Sequence, residues 1–167
     1  KIPVETLLKG VIVQSGNDAT VALAEHIAGS EETFASLMNQ KAKELGLTSS
    51  HFANSTGMPH QDHYSTARDI ATLSRAIIQN FPDHYPMYAE KVFTYNGIKQ
   101  YNRNKLLWRD KTVDGIKTGH TESAGYCLVS SAQREDMRLI TVVLGDKSED
   151  ARAVSSQALL NYGFRFY

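Results

Sequence analysis

Lys117-Thr118-Gly119-His120 and, far upstream, Ser15-Gly16-Asn17 are the residues of this chain whose types and order could do chemistry. Acyl transfer needs a nucleophile, a proton shuttle, a positive field and an oxyanion hole. Ser15 could pass a proton to a leaving group. Lys117 could supply positive potential that eases proton loss from a neighbour. Asn17 could hold a substrate amide or a second lysine, and Thr118 could hydrogen-bond a carboxylate. Gly119 lets a peptide approach the strand edge without a Cβ clash. The peptide would then add as an extra strand, with the His120 N–H as one oxyanion donor. The attacking pair is not in the set: no serine in the chain is followed three residues later by lysine. Taken singly, Lys-Thr-Gly reads as a turn with a solvated lysine and Ser-Gly-Asn as a helix cap. Their combination points to chemistry.

These residues need elements to carry them. Leu7, Leu8, Val11 and Ile12 make a helical stripe over Val4 to Val13 that stops at Gln14-Ser15-Gly16-Asn17. Asn17 or Asp18 is predicted to cap a second helix, Ala19 to Ala28, closed by Gly29 and apolar enough to be buried nearly all round. Ser15 then sits in a tight connection between helices. Ser30 caps a third helix with apolar positions Phe34, Leu37, Met38 and Leu45, ended by Gly46. His51 to Tyr64 reads as a turn-rich loop. Thr66 with Asp69 resembles a capping box before the stripe Ile70, Leu73, Ile77 and Ile78. Asn96-Gly97 between two β-prone runs predicts a two-residue hairpin. Val113 to Thr121, Gly125 to Ala132 and Met137 to Leu144 read as strands, and Ser148 caps a last helix with the stripe Ala151, Val154, Ala158 and Tyr162.

The 167 residues carry 18 basic and 18 acidic side chains, so nothing points to nucleic acid or to a polybasic membrane surface. One cysteine, Cys127, excludes an internal disulfide and reads as a core residue. No apolar run approaches a membrane span. A start at Lys1-Ile2-Pro3 reads as the middle of a longer protein.

Longer stretches carry a resemblance. Ser15-Gly16-Asn17-Asp18-Ala19, Asn102-Arg103-Asn104 with Leu107-Trp108, Val113 to Thr121, Ala124-Gly125-Tyr126, Met137 to Ile140 and Tyr162 to Phe166 together resemble the D-alanyl-D-alanine carboxypeptidases of the penicillin-binding protein 5 and 6 group. The resemblance implies an α+β, penicillin-binding transpeptidase and β-lactamase-like fold: an antiparallel sheet flanked by helices plus a helical subdomain, incomplete at the N-terminus. The helical subdomain would cover about residues 1–90; the hairpin, sheet and last helix would cover about 91–167. It implies Ser15, Asn17 and Lys117 as catalytic residues and Thr118, Gly119, His120 and Arg152 as substrate-binding residues, with Arg152 taking the terminal carboxylate. No cofactor or metal is expected. The implied partners are a peptidoglycan pentapeptide ending in D-Ala-D-Ala, β-lactams and an N-terminal segment carrying Ser-x-x-Lys. Membrane attachment would come only through a C-terminal anchor, in the periplasm at the inner membrane. Without further strands the sheet would keep an unpaired apolar edge prone to association.

Two other functions fit parts of the pattern. A class A β-lactamase shares the motif order but adds a deacylating glutamate, for which the sequence offers no convincing candidate. A non-catalytic peptidoglycan-binding module would explain the unmatched nucleophile. His60 and His63 stand three apart in a loop without a nearby cysteine, which reads as polar surface rather than a metal site. Thr6-Leu7-Leu8-Lys9 has the spacing of a nucleophile pair but lies on the wrong helix, with Lys9 solvated. Trp108, Tyr95 and Tyr101 read as packing residues.

Overall fold

Capping chemistry sets the helix boundaries in the computed structural model, which describes residues 1–167. The first helix, α1 (Val4–Lys9), does not run on as α-helix. It widens into a π-turn over Gly10–Gln14, burying Ile12 and Val13, and ends at Ser15 in the left-handed region, φ 59° and ψ 43°. Gly16 takes the N-cap of α2 (Asn17–Ala28). Asn17 is therefore the first helical residue and not the cap, and Asp18 accepts only the neighbouring Ala19 N–H at 2.8 Å. Nor is α2 buried all round: only Leu23 and Ala24 are, and Ile27 is 61% exposed. Small side chains made it look like core. Gly29, φ 79°, ends it.

Ser30 accepts the Thr33 N–H at 3.1 Å to start α3 (Glu31–Glu44). Thr66 does the same with Asp69 N–H, 3.2 Å, for α4 (Ala67–Asn80). The capping box is half formed. The short Asp69 side chain turns away, and its buried carboxylate accepts Ser49 N–H at 2.8 Å and Ser50 Oγ–H at 2.7 Å. The 51–64 loop is closed by a His51–Tyr64 bridge, and Asn39 of α3 holds both backbone groups of Phe52.

The hairpin β1 (Val92–Tyr95) and β2 (Ile98–Tyr101) turns at Asn96 and Gly97, both at positive φ. A short helix, α5 (Leu106–Arg109), leads into the main sheet. That sheet is antiparallel, ordered β3 (Val113–Thr121), β4 (Gly125–Arg134), β5 (Met137–Asp146), so β3 is an edge strand. Helix α6 (Glu149–Phe166), capped by Ser148 through Ala151 N–H at 3.0 Å, covers one face. Its Ala153 and Leu160 join Leu106, Leu107, Val113, Leu128 and Ala132 in the core. The expected α6 stripe is out of phase: Ala158 and Tyr162 are exposed and Val154 is 56% exposed, while Arg152, Ala153, Ser156 and Leu160 face the sheet. Small and polar residues on the inward face hid the true periodicity. Helix α4 lies against β5. A 3₁₀ turn, Tyr85–Ala89, packs on β3, where Gly115 leaves no room for a side chain: a Cβ there would sit 2.7 Å from the Tyr85 hydroxyl and 3.2 Å from Tyr88 Cβ.

Two aromatic expectations need correction. Trp108 is 45% exposed, with Lys91 Nζ 6.0 Å from its ring, and Tyr101 is also exposed. Lys9 is not simply solvated: it pairs with Glu5 at 3.0 Å and with Glu90 at 2.9 Å, tying α1 to the segment before β1.

Candidate active site

The left-handed turn at Ser15 and the edge strand β3 are brought together by one contact, the Lys117 ammonium donating to Ser15 Oγ. Main-chain bonds fix the turn: Ser15 N–H to Val11 O at 3.1 Å and Gly16 N–H to Gly10 O at 3.2 Å. A non-glycine residue held at positive φ beside a widened helical turn is a feature that concentrates at functional sites. Lys117 also donates to Thr118 O at 2.9 Å. Burial, reinforced by the charges of Arg103 and Arg152, lowers its pKa from 10.5 to about 8. At pH 7 about a tenth of the molecules then hold Lys117 as a neutral amine, against roughly one in three thousand for a free lysine.

A cavity of about 480 Å³ opens over this contact, and all seven residues singled out in the sequence line it: Ser15, Asn17, Lys117, Thr118, Gly119, His120 and Arg152. Asn17 is exposed and its Nδ2 lies 3.8 Å from Met58 Sδ. Thr118 is 9% exposed. Gly119 is exposed, and a Cβ there would meet only Cys127 Cβ, at 3.8 Å. The His120 ring stacks on Tyr126, centroids 3.9 Å apart, with Nδ1 3.2 Å from Gly125 O. Arg152 points inward from α6. It is 3% exposed, donates from Nη1 to Gly119 O at 3.0 Å and to Cys127 O at 3.4 Å, and lies 5.5 Å from the Tyr126 ring. Burial pushes its pKa down, with Glu149 opposing.

The cavity also takes in Arg103, Cys127, Glu149, the Thr56-Gly57-Met58 turn and, at the end of β3 and the turn after it, Thr121 and Ala124, none of which sequence reasoning assigned to the site. Cys127 is half-buried with Sγ 3.7 Å from Ala124 O, so it is a wall residue and not core. Strand alternation is the reason: Leu128 faces α6, so Cys127 points the other way. Glu149, the one carboxylate of the lining, is paired with Lys105 at 3.2 Å. His60 and His63 stand outside, in an adjoining cleft; their Nδ1 atoms accept the N–H groups of Asp62 and Ala53, both at 3.1 Å. No group of three or more His, Cys, Asp or Glu side chains is placed to hold a metal ion.

A larger cleft of about 610 Å³ lies along α6, but two of its three cations are already paired, Arg134 with Asp110 at 3.1 Å and Arg109 with Asp150, and Gln157 donates to the Asp110 carboxylate. The Lys117 cavity instead gathers three cations, none of which belongs to an ion pair. Unmatched like charge around a hydroxyl–amine contact suits an anionic ligand and a reacting carbonyl.

Known proteins resemble the chain over nearly all of its length. D-alanyl-D-alanine carboxypeptidase DacC of Escherichia coli is 52% identical, covering 100% of this chain and 42% of its own length. Penicillin-binding protein 5 of Haemophilus influenzae superposes with a TM-score of 0.95 at 49% identity, over 98% of this chain and 48% of that one. A penicillin-binding protein of Listeria monocytogenes gives 0.91 at 30% identity, over 98% and 67%. The chain thus spans less than half the length of the Escherichia coli relative. The family model for D-alanyl-D-alanine carboxypeptidase matches residues 1–148, and the chain belongs to that family.

Proposed function

We propose that the protein carrying this chain is a serine-type D-Ala-D-Ala carboxypeptidase. It removes the terminal D-alanine from peptidoglycan pentapeptides through an acyl-enzyme and is acylated by β-lactams. The observation that carries this reading is the Lys117–Ser15 contact inside a cleft of three unpaired cations on a sheet edge. The Listeria protein, solved in its cefotaxime-bound form, supports the β-lactam part. Family membership favours the carboxypeptidase over the β-lactamase alternative, and Glu149, already paired with Lys105, is poorly disposed to activate a water.

In this mechanism the substrate lies along the free edge of β3. A serine from a Ser-x-x-Lys segment outside these 167 residues attacks the penultimate carbonyl. Its oxygen forms the ester as the peptide C–N bond breaks. The attacking serine yields its proton to the lysine of its own Ser-x-x-Lys segment, Ser15 hands a proton to the departing D-alanine nitrogen, and the ammonium form of Lys117, the majority form at pH 7, resupplies Ser15. Thr118 and Arg152 serve the terminal carboxylate, Asn17 holds the substrate amide, Gly119 leaves the edge open, and His120 N–H serves the oxyanion. Water then hydrolyses the ester. The protein works on the cell wall in the periplasm and helps set cell shape.

The test is D-alanine release from a D-Ala-D-Ala peptide, with intact mass spectrometry after penicillin. The expected result is stoichiometric acylation that Lys117→Ala slows by about 100-fold or more, the usual worth of general acid–base catalysis. Acylation unchanged by Lys117→Ala would overturn the mechanism.

A further inference from the structure

The second cleft, the one that holds His60 and His63, has a volume of about 480 Å³ and shares Gly57, Met58, Thr121 and Ala124 with the catalytic cleft. The mechanism above leaves it unused but gives the peptide a direction along β3. With the terminal carboxylate at Thr118 and the reacting carbonyl at His120, the peptide runs antiparallel to the strand. The residue before D-Ala-D-Ala then lies about 3.3 Å further on, beside Thr121. There the second cleft begins. Thr121 and Ser123 line one side of it, and the 51–64 loop supplies the other with Pro59, His60, Gln61 and His63.

The two histidines are set as donors. Nδ1 of His60 accepts Asp62 N–H and Nδ1 of His63 accepts Ala53 N–H, both at 3.1 Å. A ring nitrogen that accepts carries no proton, so in each neutral imidazole the proton is on Nε2. Burial, with His51 and His60 close by, holds the His63 pKa below the usual histidine value, so its ring is neutral at pH 7. Phe52 packs edge-on against that ring, centroids 5.8 Å apart, and is itself held by Asn39 through both main-chain groups. Each ring is therefore fastened to the backbone by one edge and offers an N–H on the other. The lining contains no carboxylate. Asp62 stands on the Nδ1 side of His60, at 3.9 Å, away from Nε2. Donors without an anion suit a group that only accepts, and an ionised carboxylate is such a group.

We propose that this cleft is the subsite for the side chain of the residue preceding D-Ala-D-Ala, and that His60 and His63 make it selective for a side chain ending in a carboxylate. The inference rests on the carboxypeptidase reading.

The experiment uses the full-length protein bearing this chain and two peptides ending in X-D-Ala-D-Ala. The side chain of X is a run of methylene groups that ends in a carboxylate in one peptide and in a methyl group in the other. D-Alanine release is followed for the wild type, for His60→Asn with His63→Asn, and for His60→Gln with His63→Gln. Asparagine can place an oxygen near the Nδ1 position and keep the main-chain bond, but it has no group at Nε2; glutamine returns an N–H there. The wild type should favour the carboxylate peptide by about tenfold in kcat/KM, the worth of a hydrogen bond to a charged group. The double asparagine variant should bring that ratio to within about twofold of unity, and the double glutamine variant should keep most of it. The ratio is internal to each variant, so a partly unfolded preparation does not distort it. A wild type without the preference would overturn the inference. So would a preference that survives in the double asparagine variant, including one where both peptides lose rate equally, since the histidines would then act only by supporting the loop. A wild type that releases D-alanine from neither peptide would remove the proposed function and this inference together.

Discussion

Replacing Lys117 by methionine should make the folded chain more stable at neutral pH. The folded protein holds Lys117 at a pKa of about 8 against 10.5 for a free lysine, because burial and two arginines disfavour its charge. The full shift corresponds to about 3 kcal/mol against the charged form. Partial contact with water, and loss of the hydrogen bonds to Ser15 and Thr118 O, reduce the net gain to about 1–2 kcal/mol. Its pH dependence is the diagnostic. Between about 8 and 10.5 the unfolded chain keeps the Lys117 proton while the folded chain has released it. The unfolded state therefore binds more protons, and raising pH across that interval stabilises the wild type relative to the variant. Urea titrations of both proteins from pH 6 to 11 should show the variant's advantage constant below about 8 and shrinking toward 10.5. All other titrating groups cancel in the difference. A difference flat across that window, or a wild type more stable than Lys117→Met at pH 7, would refute the reasoning.

Two further outcomes follow from the packing. Asp110 is the opposite electrostatic case: burial raises its pKa, but hydrogen bonds from Thr112, Gln157 and Arg134 outweigh it and bring the value from 3.8 down to about 2. Asp110→Asn should cost about 2 kcal/mol above pH 3.8, with the gap to wild type closing as pH falls toward 2, read from urea midpoints across that range. Gly115→Ala should cost about 1–3 kcal/mol by driving a methyl into the buried Tyr85 hydroxyl and the Tyr88 side chain, and a melting temperature equal to wild type would count against that packing.

Local signals in the sequence were strong where the chemistry is local. Ser30, Thr66 and Ser148 cap helices because a hydroxyl one residue before a helix has a single obvious partner, and Asn96-Gly97 turns because both residues tolerate positive φ. The failures came where a third element decides. The inward face of α6 carries Arg152, Ala153 and Ser156, which no hydrophobic stripe would select; they face inward because the sheet above them needs small residues and one charge. Cys127 was misplaced because composition does not say which side of a strand meets the helix. Asn17 lost the cap to Gly16, whose extended backbone follows the left-handed Ser15 and so starts the helix one residue earlier. The site residues themselves were legible as types, but Arg103 became visible only once the fold set it beside Lys117.

The same arrangement explains why this cleft is poorly matched to its own stability. A left-handed serine, a lysine whose charge is disfavoured by burial and an arginine buried without a carboxylate each act against the folded state. What offsets them lies a few residues away and is ordinary: the core under α6, the Asp69 and Asp110 hydrogen bonds, and the two buried asparagines around Arg103. An anion entering the cleft changes the balance. It would meet three cations already held in place, and its charge would favour the protonated form of Lys117 that burial and the two arginines disfavour. Ligand binding and relief of electrostatic strain are then one event. With Glu149 taken by Lys105 and no ion pair on Lys117, Arg103 or Arg152, the counter-charge for this cleft is left to a bound anion.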